Sequence, residues 1–190
     1  MSSYVTEPLT FLIGVIFGLY ALIVLLRFLL QWVRADFYNP LSQFIVKVTT
    51  PVLNPLRRVI PGVSGMDTAS LVLAWLVVTI EQLLILGLSG LGLQPLAAAL
   101  LAVPELIALV INIFLFAILI QVIISWINPG SYNPALSLIH SLTEPLLRPV
   151  RRRMPEMGGL DLSPMVVMIG LVVLEMLLIP PIKDVIARML

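Results

Sequence analysis

Two sets of residues in this chain have types and spacing that could do chemistry. The first is arginine in clusters: Arg57 and Arg58, then Arg148, Arg151, Arg152 and Arg153. A guanidinium presents a planar fork of donors that matches carboxylates and phosphates. These six are therefore candidate binding residues for anionic lipid headgroups, or for a membrane or cytosolic protein partner. The ordinary reading of such clusters is a topology signal with headgroup contact. The second set is Glu81 and Glu175, each inside a long apolar run. An ionisable residue within a membrane span is costly and functional by default. A buried, protonated, hydrogen-bonded structural carboxyl is the competing reading.

Beyond these, the residue inventory is poor in reactive groups. There is no cysteine and one histidine, His140. Thiolate metal sites, disulfides and cysteine nucleophiles are excluded, and a histidine-built metal site has too few ligands. No GxSxG, HExxH or Walker glycine loop occurs. No catalytic residue, no metal ligand and no cofactor is expected, and the chain is read as a non-enzyme. His140 is read as an interfacial residue.

The elements that must position the arginines and glutamates come from an internal repeat. Tyr38 to Asp67 reads YNPLSQFIVKVTTPVLNPLRRVIPGVSGMD, and Tyr132 to Asp161 reads YNPALSLIHSLTEPLLRPVRRRMPEMGGLD, 94 positions on and without a gap. Asn39-Pro40 falls on Asn133-Pro134, Pro51 on Pro145, Pro55 on Pro149, and Arg57-Arg58 on Arg151-Arg152. Pro61 falls on Pro155, Gly65 on Gly159 and Glu81 on Glu175. Such a repeat fixes the architecture as one unit used twice. The units are residues 1–94 and 95–190 of a single membrane domain.

Each unit should cross the membrane twice. The chain is 60% apolar and 11% charged, about half the charged fraction of a soluble domain. Leu9 to Leu30 is long enough for a ~30 Å hydrocarbon core and is expected to be a retained transmembrane helix. Leu71 to Leu91, Glu105 to Ile127 and Pro164 to Ile182 are the other spans. Gln94 to Pro104 is read as an apolar connector able to form a short surface helix. Pro180-Pro181 is expected to break the last span, leaving a short amphipathic tail. The fold class is therefore all-α, with four transmembrane helices in two parallel tandem repeats. A pseudo-twofold axis along the membrane normal should relate the units.

Between the spans of each unit, Asn and Pro start a helix well. Leu41, Phe44, Ile45 and Val48, and then Ala135, Leu138, Ile139 and Leu142, recur at helical spacing. Each copy is a short amphipathic helix suited to the interface. Pro51 and Pro145 should end it, with Pro55 and Pro149 keeping the arginine segment non-helical. Asp67 and Asp161 should cap the next span. Gly14 and Gly18 form a GxxxG, which seats either packing within the chain or a homo-oligomer contact. Arg27, one turn from the end of the first span, is read as snorkelling to the headgroups.

Nine of the eleven basic residues lie in or beside the two repeated loops; only Lys183 and Arg188 lie elsewhere. The positive-inside rule puts those loops in the cytoplasm and both termini outside. Net charge is +1, which predicts no direct nucleic-acid contact.

At these residues the chain resembles the YggT family, also called YlmG, of small bacterial and plastid membrane proteins. PLLRPVRRRMPEMGGLDLSP in the second copy is similar to the family signature. RFLLQWVRADFYNPLSQFIVKVTTP, Arg27 to Pro51, is similar to the first half of its two-copy members. The resemblance covers nearly the whole chain. It implies an integral protein of the bacterial cytoplasmic (inner) membrane made of two fused units, with no agreed biochemical activity. Plastid relatives are tied to cytochrome b haem attachment and nucleoid distribution, bacterial ones to cell division, envelope and osmotic functions. The resulting expectation is a non-enzymatic scaffold or assembly factor presenting two cytoplasmic Arg/Pro-rich loops, in cell division or membrane-complex assembly. The alternative is a small ion or solute conduit, related to osmotic stress, built on the intramembrane glutamate pair.

Overall fold

Apolar runs that cannot leave backbone groups unpaired in lipid fold as helices, and the described residues form six helices joined by short connections. The computed structural model describes residues 3–63, 65–90, 92–127, 133–154 and 161–189. Tyr132, Pro155, Gly158 and Gly159 of the second repeated stretch lie outside the described residues. The elements are α1 (Ser3–Trp32), α2 (Pro40–Val59), α3 (Thr68–Leu88), α4 (Pro95–Ile127), α5 (Pro134–Arg151) and α6 (Ser163–Met189). Helices α1, α3, α4 and α6 are long and apolar enough to cross a membrane. Helices α2 and α5 are the amphipathic ones, and they sit across the ends of the spans they connect.

Both amphipathic helices start as the sequence indicates. The Asn39 side chain accepts a bond from the Leu41 amide at 3.0 Å, and Asn133 accepts one from Ala135 at 2.9 Å. They do not stop where expected. Helix α2 runs through Pro51 and Pro55, and α5 through Pro145 and Pro149. The four prolines are on the exposed side, opposite the buried Ser42, Ile45, Thr49 and Leu53 of α2. A proline on the outer side opens a helix on its convex face, where helices that wrap a core already bend. The turns before the first proline also carry hydroxyls bonded back to the helix carbonyls. Thr49 donates to Ile45 O at 2.7 Å, and Thr143 to Ile139 O at 2.9 Å. The arginine segment is thus the last turn of a rigid helix, not an extended path. On the amphipathic face, Ile45, Leu138 and Leu142 are buried, whereas Leu41 and Phe44 are exposed.

The spans differ from expectation at their far ends, for one physical reason. Ending a helix in lipid would strand several carbonyls and amides, whereas continuing through a proline loses one bond. Hence α4 begins at Pro95 and carries Pro104 inside it, so the connector's helix is continuous with the third span rather than a separate surface helix. At about 1.5 Å per residue α4 is ~50 Å long, well beyond a hydrocarbon core. Likewise α6 continues through Pro180 and Pro181 to Met189. Its last turns are held by the buried Ile186 and by an ion pair from Lys183 to Glu105 of α4 at 2.8 Å.

In packing, α1 lies on α3, α3 on α4, and α4 on α6. Helix α2 rests on α1 and α3, α5 rests on α4 and α6, and the two amphipathic helices meet. There Asn39 Nδ2 donates to Pro134 O at 2.7 Å. The main core joins Val24, Leu25 and Leu29 of α1, Leu73 and Ala74 of α3, and Phe114 and Ala117 of α4.

The units are not related by a closed twofold. Such an axis would pack α6 on α1 as α3 packs on α4, and among the described residues that contact does not occur. The reason lies in the side chains. At the α3–α4 seam, Trp75 Nε1 donates to Ala99 O at 3.0 Å, and Ala97, Ala98 and Ala102 are buried. Ile169 replaces that tryptophan in α6, and Ser3, Tyr4 and Pro8 replace the alanines in α1. The repeat therefore preserves each unit while the seam between them is used once.

Candidate functional site: a buried arginine network at the loop end

The densest polar arrangement is built around Arg27. It lies on α1 about one turn before Trp32, and is only 8% exposed. A lone guanidinium there requires acceptors, and α2 supplies them. Arg27 Nη1 donates to Val46 O at 3.1 Å, Thr49 Oγ1 at 2.5 Å and Thr50 Oγ1 at 3.1 Å. Its Nε lies 3.8 Å from Asp67 Oδ2. Asp67 in turn accepts from Arg57 at the end of α2 and from Ser70 Oγ at 2.6 Å. One carboxylate thereby joins the end of α1, the end of α2 and the start of α3. It makes no side-chain cap to α3, contrary to the reading from position alone. Burial by itself would raise the Asp67 carboxyl. The bonds from Arg57 and Ser70, with the charges of Arg57 and Arg27, outweigh it and hold the group below its ordinary value.

The second unit repeats the frame with a weaker centre. Gln121 stands where Arg27 does and is within hydrogen-bond reach of the hydroxyl of Thr143, the counterpart of Thr49. Arg151 pairs with Asp161 at 3.0 Å, as Arg57 pairs with Asp67. It also lies 3.4 Å from Glu144, which replaces Thr50. Asp161 additionally accepts from the Ser163 amide at 2.9 Å. Burial would raise its carboxyl, but the Ser163 bonds and Arg151 hold it low. His140 is exposed on the polar side of α5, with Nδ1 3.4 Å from Gln121 Nε2.

The other candidate arginines divide by role. Arg57 and Arg151 are the paired ones. Arg58, Arg148, Arg152 and Arg153 are exposed, with no acidic partner among the described residues. The structure does not bring Glu81 and Glu175 together. Glu81 is half-buried on α3, with its Oε1 3.8 Å from where a Cβ on Gly14 would stand. It lies ~20 Å along α3, beyond the middle of the helix. Glu175 is half-buried on α6, whose buried residues, Ser163, Pro164, Val167 and Ile186, lie toward its two ends. Helices α3 and α6 do not touch among the described residues, so the pair does not share an interior. Gly18 has nothing within 4 Å of an added Cβ, so the GxxxG seats no tight packing within the chain. No group of three or more His, Cys, Asp or Glu able to hold a metal occurs among the described residues.

Arg27 was legible in the sequence as the one charge in its span, but not as a site. The signal available was the Thr49-Thr50 pair on the buried side of α2, which only helix packing turns toward α1.

These features define a polytopic helical membrane protein of two tandem units, each with an arginine-ended amphipathic helix tied to an aspartate before its second span. The chain belongs to the CCB3/YggT family, whose model matches it twice, at residues 6–88 and 100–182. An uncharacterized protein of Pseudomonas aeruginosa is 51% identical over 167 residues, 85% of this chain and 83% of that protein. The uncharacterized protein YggT of Escherichia coli is 40% identical over 170 residues, 90% of this chain and 88% of that protein. An uncharacterized protein of Haemophilus influenzae is 42% identical over 163 residues, 86% of this chain and 87% of that protein. No solved structure matches the chain.

Proposed function

We propose that this protein is a non-enzymatic scaffold or assembly factor of the bacterial inner membrane. Its two arginine-ended helices face the cytoplasm, and both termini lie outside. The observation that carries this reading is the paired use of arginine in each unit. One arginine, Arg57 or Arg151, is spent on fixing the helix end to an aspartate. The neighbours Arg58, Arg148, Arg152 and Arg153 are left exposed on a rigid support. Fixed, unneutralised guanidinium groups suit carboxylates on a partner or anionic headgroups.

The test is site-specific photocrosslinking from Val59, which is 82% exposed beside Arg58. The variant Arg58→Gln/Arg148→Gln/Arg152→Gln/Arg153→Gln should lose protein adducts seen with the unaltered chain in native membranes, at unchanged orientation. Unchanged adducts would leave the arginines as topology signals alone. The conduit reading has less support, because the two glutamates lie on helices that do not touch. A cation flux in proteoliposomes that disappears in Glu81→Gln/Glu175→Gln would reverse this ranking.

A further inference from the structure

The same end of the first unit contains a cavity of about 690 Å³, within the size range of small-molecule sites. Arg27, Arg34 and Arg57 line it, with Asp67 as the one carboxylate and Leu30 and Ile45 among the apolar walls. Asp67 is already engaged by Arg57, Ser70 and Arg27. Three cations against one occupied carboxylate leave an excess of positive charge in a partly enclosed, partly apolar space.

The backbone at Arg34 points the same way. Helix α1 ends in a Schellman turn: Ala35 N donates to Leu30 O at 2.9 Å and Arg34 N to Gln31 O at 3.1 Å. The residue at the left-handed position of such a turn is usually glycine. Here it is Arg34, at φ +54, the one non-glycine with positive φ among the described residues. Backbone strain of this kind persists where the side chain has a use. The second unit is an internal contrast. There Gln121 replaces Arg27, Leu136 replaces Ser42, and Arg151 faces both Asp161 and Glu144. Among the described residues the buried arginine at the centre of this cluster belongs to the first unit alone, and the unpaired Arg148, Arg152 and Arg153 of the second unit are exposed.

We propose that this cavity is a phosphate-binding site, in which Arg27, Arg34 and Arg57 together hold the phosphate of an anionic phospholipid headgroup or of a free phosphate. The inference deepens the scaffold reading by naming what the basic end of the first unit takes up. Its apolar walls fit the glycerol and first acyl carbons of a lipid, and its arginines fit the phosphate oxygens.

The experiment uses the full chain in detergent micelles near pH 7, with binding followed by isothermal titration calorimetry. One arm is titrated with dihexanoylphosphatidylglycerol and the other with inorganic phosphate. Saturable binding of one molecule per chain is expected in at least one arm, and the arm that binds identifies the source. Two variants carry the test, the first of them independent of the buried Arg27 network. Arg34→Gly places the residue that the turn prefers. Arg27→Gln installs the second unit's own solution. Each should weaken binding about tenfold or more through loss of a charge-assisted contact. Lys47→Gln, an equal charge change outside the cavity, should change it less than about twofold by screening alone. Absence of saturable binding in both arms, or binding indifferent to Arg34→Gly and Arg27→Gln, overturns the site. The scaffold reading stands or falls separately, on the crosslinks governed by Arg58, Arg148, Arg152 and Arg153.

Discussion

A guanidinium buried against two threonine hydroxyls and a carbonyl is held by bonds that a smaller residue cannot replace. Arg27→Ala would leave Asp67 with fewer partners and open space beside α2. Breaking a buried, hydrogen-bonded charge in this way costs about 2–4 kcal/mol. Arg27→Gln keeps a donor and an acceptor toward Thr49, as Gln121 does toward Thr143, and should cost about half as much. Thermal unfolding of the two variants in micelles, ranked against the unaltered chain, checks the order. Asp67 also makes a pH prediction. Its carboxyl is held below its ordinary value once folded, so its contribution is present above about pH 4, the unfolded carboxyl range, and is lost as pH falls below it. Asp67→Asn should be less stable than the unaltered chain at pH 7, with a shallower loss of stability between pH 5 and pH 3. An acid limb equally steep in Asp67→Asn would assign the loss to other carboxylates.

At the scale of elements, the continuity of α2 decides where the arginines point. Prolines about one turn apart would ordinarily end a helix, yet α2 extends from Pro40 to Val59 through Pro51 and Pro55. The chain has no cysteine, so spin labels can be placed at Gln43→Cys and Val59→Cys, both on exposed positions. A continuous helix separates these positions by ~24 Å at about 1.5 Å per residue. An extended path after Pro51 would reach up to ~38 Å at about 3.3 Å per residue. Pulsed electron spin measurement of that distance should give the shorter value. A broad distribution centred well above it would restore the non-helical segment that the proline spacing suggests.

For the whole molecule, orientation is the property on which the proposed function depends. The basic residues gather at one end of the spans, and arginine retained on the cytoplasmic side sets topology. Val63→Cys, at an exposed loop position, should be shielded from an impermeant thiol reagent in intact cells. Leu93→Cys, exposed at the opposite end, should be labelled. Leu93 is the better probe than its neighbour Gly92, whose φ of +79 disfavours a side chain. The reverse labelling pattern would invert the protein in the membrane and remove the cytoplasmic docking surface with it.

The sequence alone determined the four spans, the two-unit organisation and the helix starts at Asn39 and Asn133. These follow from local and periodic causes: apolar run length, a gapless repeat and side-chain capping. The six clustered arginines and the two glutamates were also legible, because charge in an apolar chain stands out. Helix ends were not. Pro104 and Pro180 are carried through by apolar surroundings that offer no solvent partners, and Pro51 by its place on the outer side of α2, where a bent helix tolerates the lost bond. Nor was the role of Arg27 legible. It depends on Thr49, Thr50 and Asp67 arriving from two other elements, separations over which sequence spacing carries no geometric information. The same holds for the glutamates: equal positions in two copies suggested a shared interior, and the single seam made by Trp75 and the α4 alanines set them apart. Side chains at the seam between units, which the repeat does not preserve, made that choice.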